Sequence, residues 1–300
     1  MAIRVEVGTV AAVDEVAPGL AGSHANQIGG GALAVVHLDL PQIAAHVQPG
    51  QFLMVRCTAT ELAAADPLLP RAFFTFAADA RAGRASLLVA QRGRGSSWLC
   101  HRKAGDRVLA FGPAGRALAA GRLTRHLLLL GEGILGVAAL AHFAGACARR
   151  GLAVTLVENA AEQGGVAAHL LRADVEYRAT SPEAGGLLGV LPQVLSWADE
   201  VVVAAPAGLL ETLAALRRDR LPPFTLYGSV PVQALRLPDI RNDGRRVRSA
   251  PGGGDALPCG TGVCGACVVA TRAGRKLFCR EGPAFALEDL RFAEWGEDDT

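Results

Sequence analysis

The stretch CGTGVCGACVV, residues 259–269, packs Cys259, Cys264 and Cys267 into nine residues, with glycine or alanine in most of the gaps. A fourth cysteine follows at Cys279, so the spacing is C-x4-C-x2-C-x11-C. Three chemistries crowd cysteines in this way: a disulfide framework, a zinc knuckle and an iron–sulfur loop. Disulfides need an oxidising compartment. The amino-terminal MAIRVEVGTVAAVDEVAPG alternates like a strand and lacks the long apolar core of an export signal, which leaves metal. Zinc sites favour two CxxC-like pairs on tight turns, and a four-residue first gap is long for one. A [2Fe–2S] cluster uses C-x4-C-x2-C and a distant fourth thiolate. Gly260, Gly262, Gly265 and Ala266 allow the backbone to wrap closely and aim its N–H groups at negatively charged sulfides. Between Cys267 and Cys279, VVATRAGRKLF reads as a hairpin turning at RAGR, which returns the chain to deliver the last ligand. The spacing therefore favours Cys259, Cys264, Cys267 and Cys279 as cluster ligands, with zinc the alternative.

The remaining composition narrows the class. A chain of 300 residues has room for two or three domains, and 51% hydrophobic with 19% charged residues describes a globular protein. A net charge of +2 is too near zero to suggest a nucleic-acid partner. The arginines between Arg236 and Arg248 have no aromatic among them, so they read as a solvated linker and not a base-stacking platform. Cys57, Cys100 and Cys147 lie in apolar surroundings and read as small core residues. The greasiest stretch, His126 to Ala148, holds Glu132 and four glycines. Its parts have the lengths of a buried strand and a helix, which argues against membrane insertion and for a soluble, cytoplasmic protein.

Residues 1–122 contain short strands at even spacing: RVEVGTV, ALAVVHLDL, QFLMVRC, RAFFTFA, RASLLVAQ and DRVLAFG. With no long helix among them they predict an antiparallel barrel. Over residues 123–227 the period changes. RHLLLL is a strand, GEGILG a glycine turn, and Val137–Arg150 a helix that Gly151 can cap. AVTLVE and DEVVVAA are further strands, and AGLLETLAALRR is another helix. This alternation predicts a doubly wound α/β domain. Residues 228–300 form a Pro-, Arg- and Gly-rich connector and a small carboxyl-terminal cluster domain.

Two glycine-rich loops suggest phosphates. QRGRGSSWL (residues 91–99) follows a strand, and its backbone N–H groups suit a pyrophosphate; a plain Gly-rich hairpin is the competing reading. In GEGILG, Gly131, Gly133 and Gly136 fit G-x-G-x-x-G between strand and helix. Glu158, closing the next strand, is placed to accept adenosine ribose hydroxyls and to repel a 2′-phosphate, which predicts NADH over NADPH.

Taken in order, these stretches resemble the ferredoxin-reductase-like flavoproteins that serve as electron-transfer subunits of NAD-dependent dihydroorotate dehydrogenases. PGQFLMVRC and DPLLPRAFFTF look like the flavin-barrel signatures, GRGSSWL with AGDRVLAFGPAGR like the phosphate loop and its following turn, and CGTGVCGAC with FCREGPAF like the cluster tail. The resemblance implies FAD, a [2Fe–2S] cluster and NAD(H) as cofactors. It implies a separate FMN-containing dihydroorotate dehydrogenase catalytic subunit as partner, in a heterotetramer. It places Arg71 on the FAD pyrophosphate with Phe73, Phe74 and Thr75 after it, and Gly93, Gly95, Ser96 and Ser97 around the same phosphates. FMN lacks a pyrophosphate, so this arrangement selects FAD. Three positions depart from the family pattern. Phe74 stands where a serine is usual, GEGILG replaces GGGIG, and Ala204-Ala205-Pro206 stands at a CGP turn. The tail spacing also resembles the small subunit of NADH-dependent ferredoxin:NADP oxidoreductases. Two roles follow: an NADH-oxidising reductase subunit, or a non-catalytic electron relay whose nicotinamide site has decayed.

Overall fold

The computed structural model describes residues 2–16, 33–58, 67–160, 166–194, 196–220, 225–229 and 257–292. The arginine-bearing linker and the APGGGD segment lie outside the described residues.

The six apolar runs of the first third become β1 (Arg4–Glu15), β2 (Leu33–Asp39), β3 (Phe52–Arg56), β4 (Arg71–Asp79), β5 (Arg84–Ala90) and β6 (Arg107–Ala114). They close a barrel in the order β1-β2-β5-β4-β3-β6, with every pairing antiparallel. Two short helices, α1 (Pro41–Ala44) and α2 (Arg94–Cys100), interrupt the connections. Side chains alternate across each strand. Leu53, Val55, Phe73, Leu87 and Val89 therefore fill the barrel. Phe52, Met54, Ala72, Phe74 and Leu88 point outward into a second core shared with the rest of the molecule. Burial on both faces explains why β3 and β4 read as continuous apolar runs.

The second sheet has the order β9-β8-β7-β10-β11-β14. Its strands are β7 (His126–Glu132), β8 (Ala153–Asn159), β9 (Glu176–Thr180), β10 (Glu200–Ala204), β11 (Thr225–Ser229) and β14 (Ala284–Ala286), with a hairpin of β12 (Val268–Thr271) and β13 (Gly274–Leu277) preceding β14 in the chain. All neighbours are parallel except β14, which joins β11 antiparallel. From β7 the chain builds β8 and β9 on one side, then crosses to β10 on the other. The switch point lies at the carboxyl ends of β7 and β10, where open α/β sheets bind ligands.

Helix α3 runs Gly133–Arg149, four residues earlier than the Val137 start expected from sequence. Gly133 has φ +60°, which allows the chain to turn directly from strand into helix. Close approach accounts for the other two glycines: a Cβ on Gly136 would lie 2.7 Å from both Ala204 O and Gly131 Cα. Apolar residues surround α3, as expected for a helix buried on all sides. It packs on β7 and β8 and also on β4, so it joins the sheet to the barrel. Two further helices, α4 (Gly186–Val194) and α5 (Ala207–Arg220), form the crossovers into β10 and β11.

The tail forms the hairpin β12 (Val268–Thr271) and β13 (Gly274–Leu277), turning as expected within RAGR, then the single turn α6 (Phe278–Glu281) that carries Cys279. Gly115 N, just past β6, donates to Cys279 O at 2.8 Å, and Arg116 N donates to Gly282 O. With β14 in the α/β sheet, the tail is tied to both larger units. Among the described residues no helix is long and apolar enough to cross a membrane.

Candidate functional site

The cysteine loop curls through three glycines in the left-handed region, Gly260, Gly262 and Gly265, at φ +63°, +84° and +65°. Side chains rarely adopt that backbone, and the turns bring amides round to face sulfur. Thr261 N donates to Cys259 Sγ at 3.4 Å, and Cys279 N donates to Cys267 Sγ at 3.5 Å. The loop also rests on the barrel: a Cβ on Gly260 would lie 2.4 Å from Met54 Cγ.

The four thiols stand as two pairs. Cys267 Sγ and Cys279 Sγ are 3.3 Å apart, and Cys259 and Cys264 are hydrogen-bonded to each other. The thiol of Cys279 holds Cys267 down at about 7 and is itself pushed up by the same contact. Burial works to raise Cys259, but the Thr261 hydroxyl and neighbouring amides outweigh it and bring that thiol to about 6. Burial pushes Cys264 up. One thiol of each pair is thus predisposed to the thiolate that binds metal. Two pairs of thiols suit a binuclear cluster, which takes two thiolates per iron.

The arginine and the Gly/Ser loop proposed for a pyrophosphate meet in space. A Cβ on Gly95 would lie 2.8 Å from Arg71 Cγ, so only glycine lets that side chain cross the first turn of α2. Arg71 Nη1 donates to Leu69 O at 2.7 Å. Gly93 is the N-cap in extended conformation. Ser96 Oγ accepts from Arg92 N at 2.9 Å, and Ser97 Oγ accepts from Gln91 Nε2 at 2.7 Å.

The three residues expected beside the flavin have separate surroundings. Phe73 fills the barrel interior. Phe74 packs edge-on against Phe52 at 6.0 Å, and Phe52 meets Phe278 of the tail at 5.8 Å. Thr75 Oγ donates its one proton to Gln51 O at 2.9 Å, so His142 Nδ1, at 3.1 Å, is assigned as donor to the hydroxyl. This contact pins α3 to β4.

Burial, aided by Arg149, pushes His142 down to about 4, and its stability effect has a definite sign. The unfolded chain takes up this proton near pH 6.5 and the folded one only near 4, so stability holds above about 6.5 and falls as pH drops towards 4. A loss of roughly 3 kcal/mol across that window is the upper bound. His142→Asn, which keeps a donor in place of Nδ1, should flatten the pH dependence of the urea midpoint between 6.5 and 4. Equal slopes in the two proteins would contradict the assignment.

At the switch point a cleft of about 360 Å³ opens between the ends of β7 and β8 and the residues after β10, with Glu132, Asn159, Gly186, Leu187 and Pro206 among its walls. Gly131, Gly133 and Gly136 do not line it; they shape the turn that carries Glu132 to its wall. Glu158 is fully buried, and its Oε2 accepts the Tyr177 hydroxyl at 2.6 Å. Alternation along β8 turns Asn159, not Glu158, toward the cleft. Sequence reasoning did not single out Asn159; the signal was its place at the end of β8, one residue out of phase.

A closed antiparallel barrel, a doubly wound sheet and a thiol loop seated on the barrel give the chain a ferredoxin-reductase-like fold. Residues 256–291 match the model of the iron–sulfur cluster binding domain of dihydroorotate dehydrogenase B. The chain is similar to the electron transfer subunit of dihydroorotate dehydrogenase B (NAD(+)) from Geobacillus thermodenitrificans (strain NG80-2). The two are 29% identical over 250 residues, which cover 81% of this chain and 86% of that protein. A homolog of that subunit from Aquifex aeolicus (strain VF5) is 27% identical over 256 residues, 83% of this chain and 88% of the other. The solved structure of an NADH-dependent reduced ferredoxin–NADP oxidoreductase aligns over 97% of this chain and 91% of its own, with a TM-score of 0.66 and 19% identity, a likeness of fold. The resemblance read from the motifs is borne out.

Proposed function

We propose that the chain is the electron-transfer subunit of an NAD-linked dihydroorotate dehydrogenase, serving pyrimidine biosynthesis as part of a cytoplasmic heteromeric complex. The observation that carries this reading is the pairing of the four thiols, three on a loop packed against strand β3 of the barrel and the fourth, Cys279, on α6. Bound FAD would take electron pairs from NADH and release them singly to the [2Fe–2S] cluster, or the reverse. The chain's own residues hold and separate these groups.

Arg71 supplies a fixed positive charge for the FAD pyrophosphate, and Gly93 and Gly95 let the phosphates approach the start of α2. Ser96 and Ser97 fix the shape of that loop. Gly133 turns the chain into α3, and Gly131 and Gly136 pack that helix onto β7, which sets the Glu132 end of α3 beside the cleft for a nicotinamide nucleotide. Cys259, Cys264, Cys267 and Cys279 hold the cluster. Residues 1–122, 123–227 and 228–300 divide these tasks. The exposed end of the loop, with Cys264 open to solvent and Val263 at 88% exposure, gives an FMN-containing catalytic subunit its point of approach in a heterotetramer.

Arg71→Ala removes a charge-assisted pair worth about 1.5–3 kcal/mol, so FAD affinity should fall roughly tenfold or more. Fluorescence titration of the flavin-free protein with FAD checks this. Unchanged affinity, or extraction of FMN from the native protein, would overturn the flavin assignment.

A further inference from the structure

The cleft at the switch point contains two hydrogen-bond acceptors with no donor. Glu132, the second residue of the GEGILG turn, stands as N-cap of α3, which is 17 residues long. Its Oε1 accepts Asn159 Nδ2 at 2.7 Å. Its Oε2 is buried without a hydrogen bond, and so is Asn159 Oδ1. Asn159 is only 7% exposed, and Gly186 closes over it: a Cβ there would lie 3.3 Å from Asn159 Nδ2. Both residues line the same cleft, which is otherwise walled largely by glycine, proline and leucine.

Buried acceptors in native proteins almost always have donors, so a rigid pair without them calls for a ligand that brings two. The ligand must present adjacent donors beside an apolar body. A ribose cis-diol attached to a purine does so. A phosphate does not, because it brings only acceptors and negative charge to a carboxylate. Resting on the reading of the chain as an NAD-linked subunit, we infer that Glu132 and Asn159 together form the adenosine-ribose site that selects NADH over NADPH. The usual acidic residue for this task comes from the end of the second strand of such a sheet. Here Glu158 is at that strand end but is enclosed with Tyr177, and the carboxylate reaches the diol from the turn after the first strand. Burial raises the Glu132 carboxyl while Asn159 opposes that shift, which leaves it an acceptor with much to gain from a donor.

The test is calorimetry on the flavin- and cluster-loaded protein with ADP-ribose and its 2′-phosphate, for wild type, Glu132→Gln and Asn159→Ala, with flavin and iron content confirming the fold of each variant. The wild type should bind ADP-ribose in clear preference. Glu132→Gln should weaken ADP-ribose about tenfold and bring the 2′-phosphate closer, so that the ratio of the two falls by tenfold or more. Asn159→Ala should weaken ADP-ribose without gaining the phosphate. If the wild type discriminates and neither variant changes the ratio, the Glu132–Asn159 site is wrong and the NAD-linked reading stands. If the loaded wild type binds neither ligand, both fail.

Discussion

Cys264→Ser should leave the protein folded and flavin-bound while its iron falls from about two atoms per chain to near none. Cys264 is the one exposed thiol of the four, so the change disturbs no packed core and its effect falls on the cluster. A serine hydroxyl stays protonated at neutral pH and is a poor ligand for soft iron. Cys57→Ser is the matching control. Cys57 is wholly buried in the barrel, with burial pushing its thiol up to about 12, so it is inert towards metal. That variant should keep its full iron and sulfide, at some expense in stability. Metal analysis of anaerobically purified protein reads both outcomes. One zinc per chain in the wild type, or undiminished iron in Cys264→Ser, would refute the assignment of the four ligands.

Phe278→Ala should loosen the tail more than any single loop substitution. Phe278 is 1% exposed, its ring lies 5.8 Å from that of Phe52, and its N–H donates to Cys267 O at 2.8 Å. It immediately precedes Cys279, so one side chain both fills the seam and positions a ligand. Truncating a buried phenylalanine costs about 3–5 kcal/mol, and in a chain of this size that lowers a melting midpoint by on the order of 10 °C. The cluster's visible absorption should bleach first on heating, with barrel flavin lost later, because the cavity lies between the tail and β3. Coincident transitions at the wild-type temperature would contradict this view of the seam.

The sequence revealed the barrel well because each of its six strands is a compact apolar run bounded by turn residues. The thiol loop was legible from spacing alone, since coordination of two irons demands it. The sheet was harder. GEGILG looks like a loop by propensity, yet α3 starts inside it, because contact between Gly131 and Gly136 outweighs the low helix propensity of glycine. EYRAT is polar enough to pass as loop, but it forms the edge strand β9, where one side meets water. β14 is only three residues and exists through pairing with β11, a contact between distant parts of the chain. The lining of the cleft turned on the phase of one strand: Glu158 faces Tyr177, and Asn159 takes the position facing the cleft. Nor did any local pattern disclose that Thr75 would meet His142, since their contact exists only once α3 packs on β4.

An anaerobic titration of the loaded protein with NADH, followed by flavin absorbance and by the low-temperature electron paramagnetic resonance of the cluster, tests the central claim most directly. Read as nucleotide, pyrophosphate and cluster sites, the cleft of the sheet, the Gly/Ser loop of the barrel and the paired thiols of the tail predict that NADH bleaches the flavin. They also predict that the spectrum of a reduced [2Fe–2S] centre then appears, with NADPH slower at both steps. A protein whose flavin and cluster accept electrons from dithionite but from neither nicotinamide would contradict it.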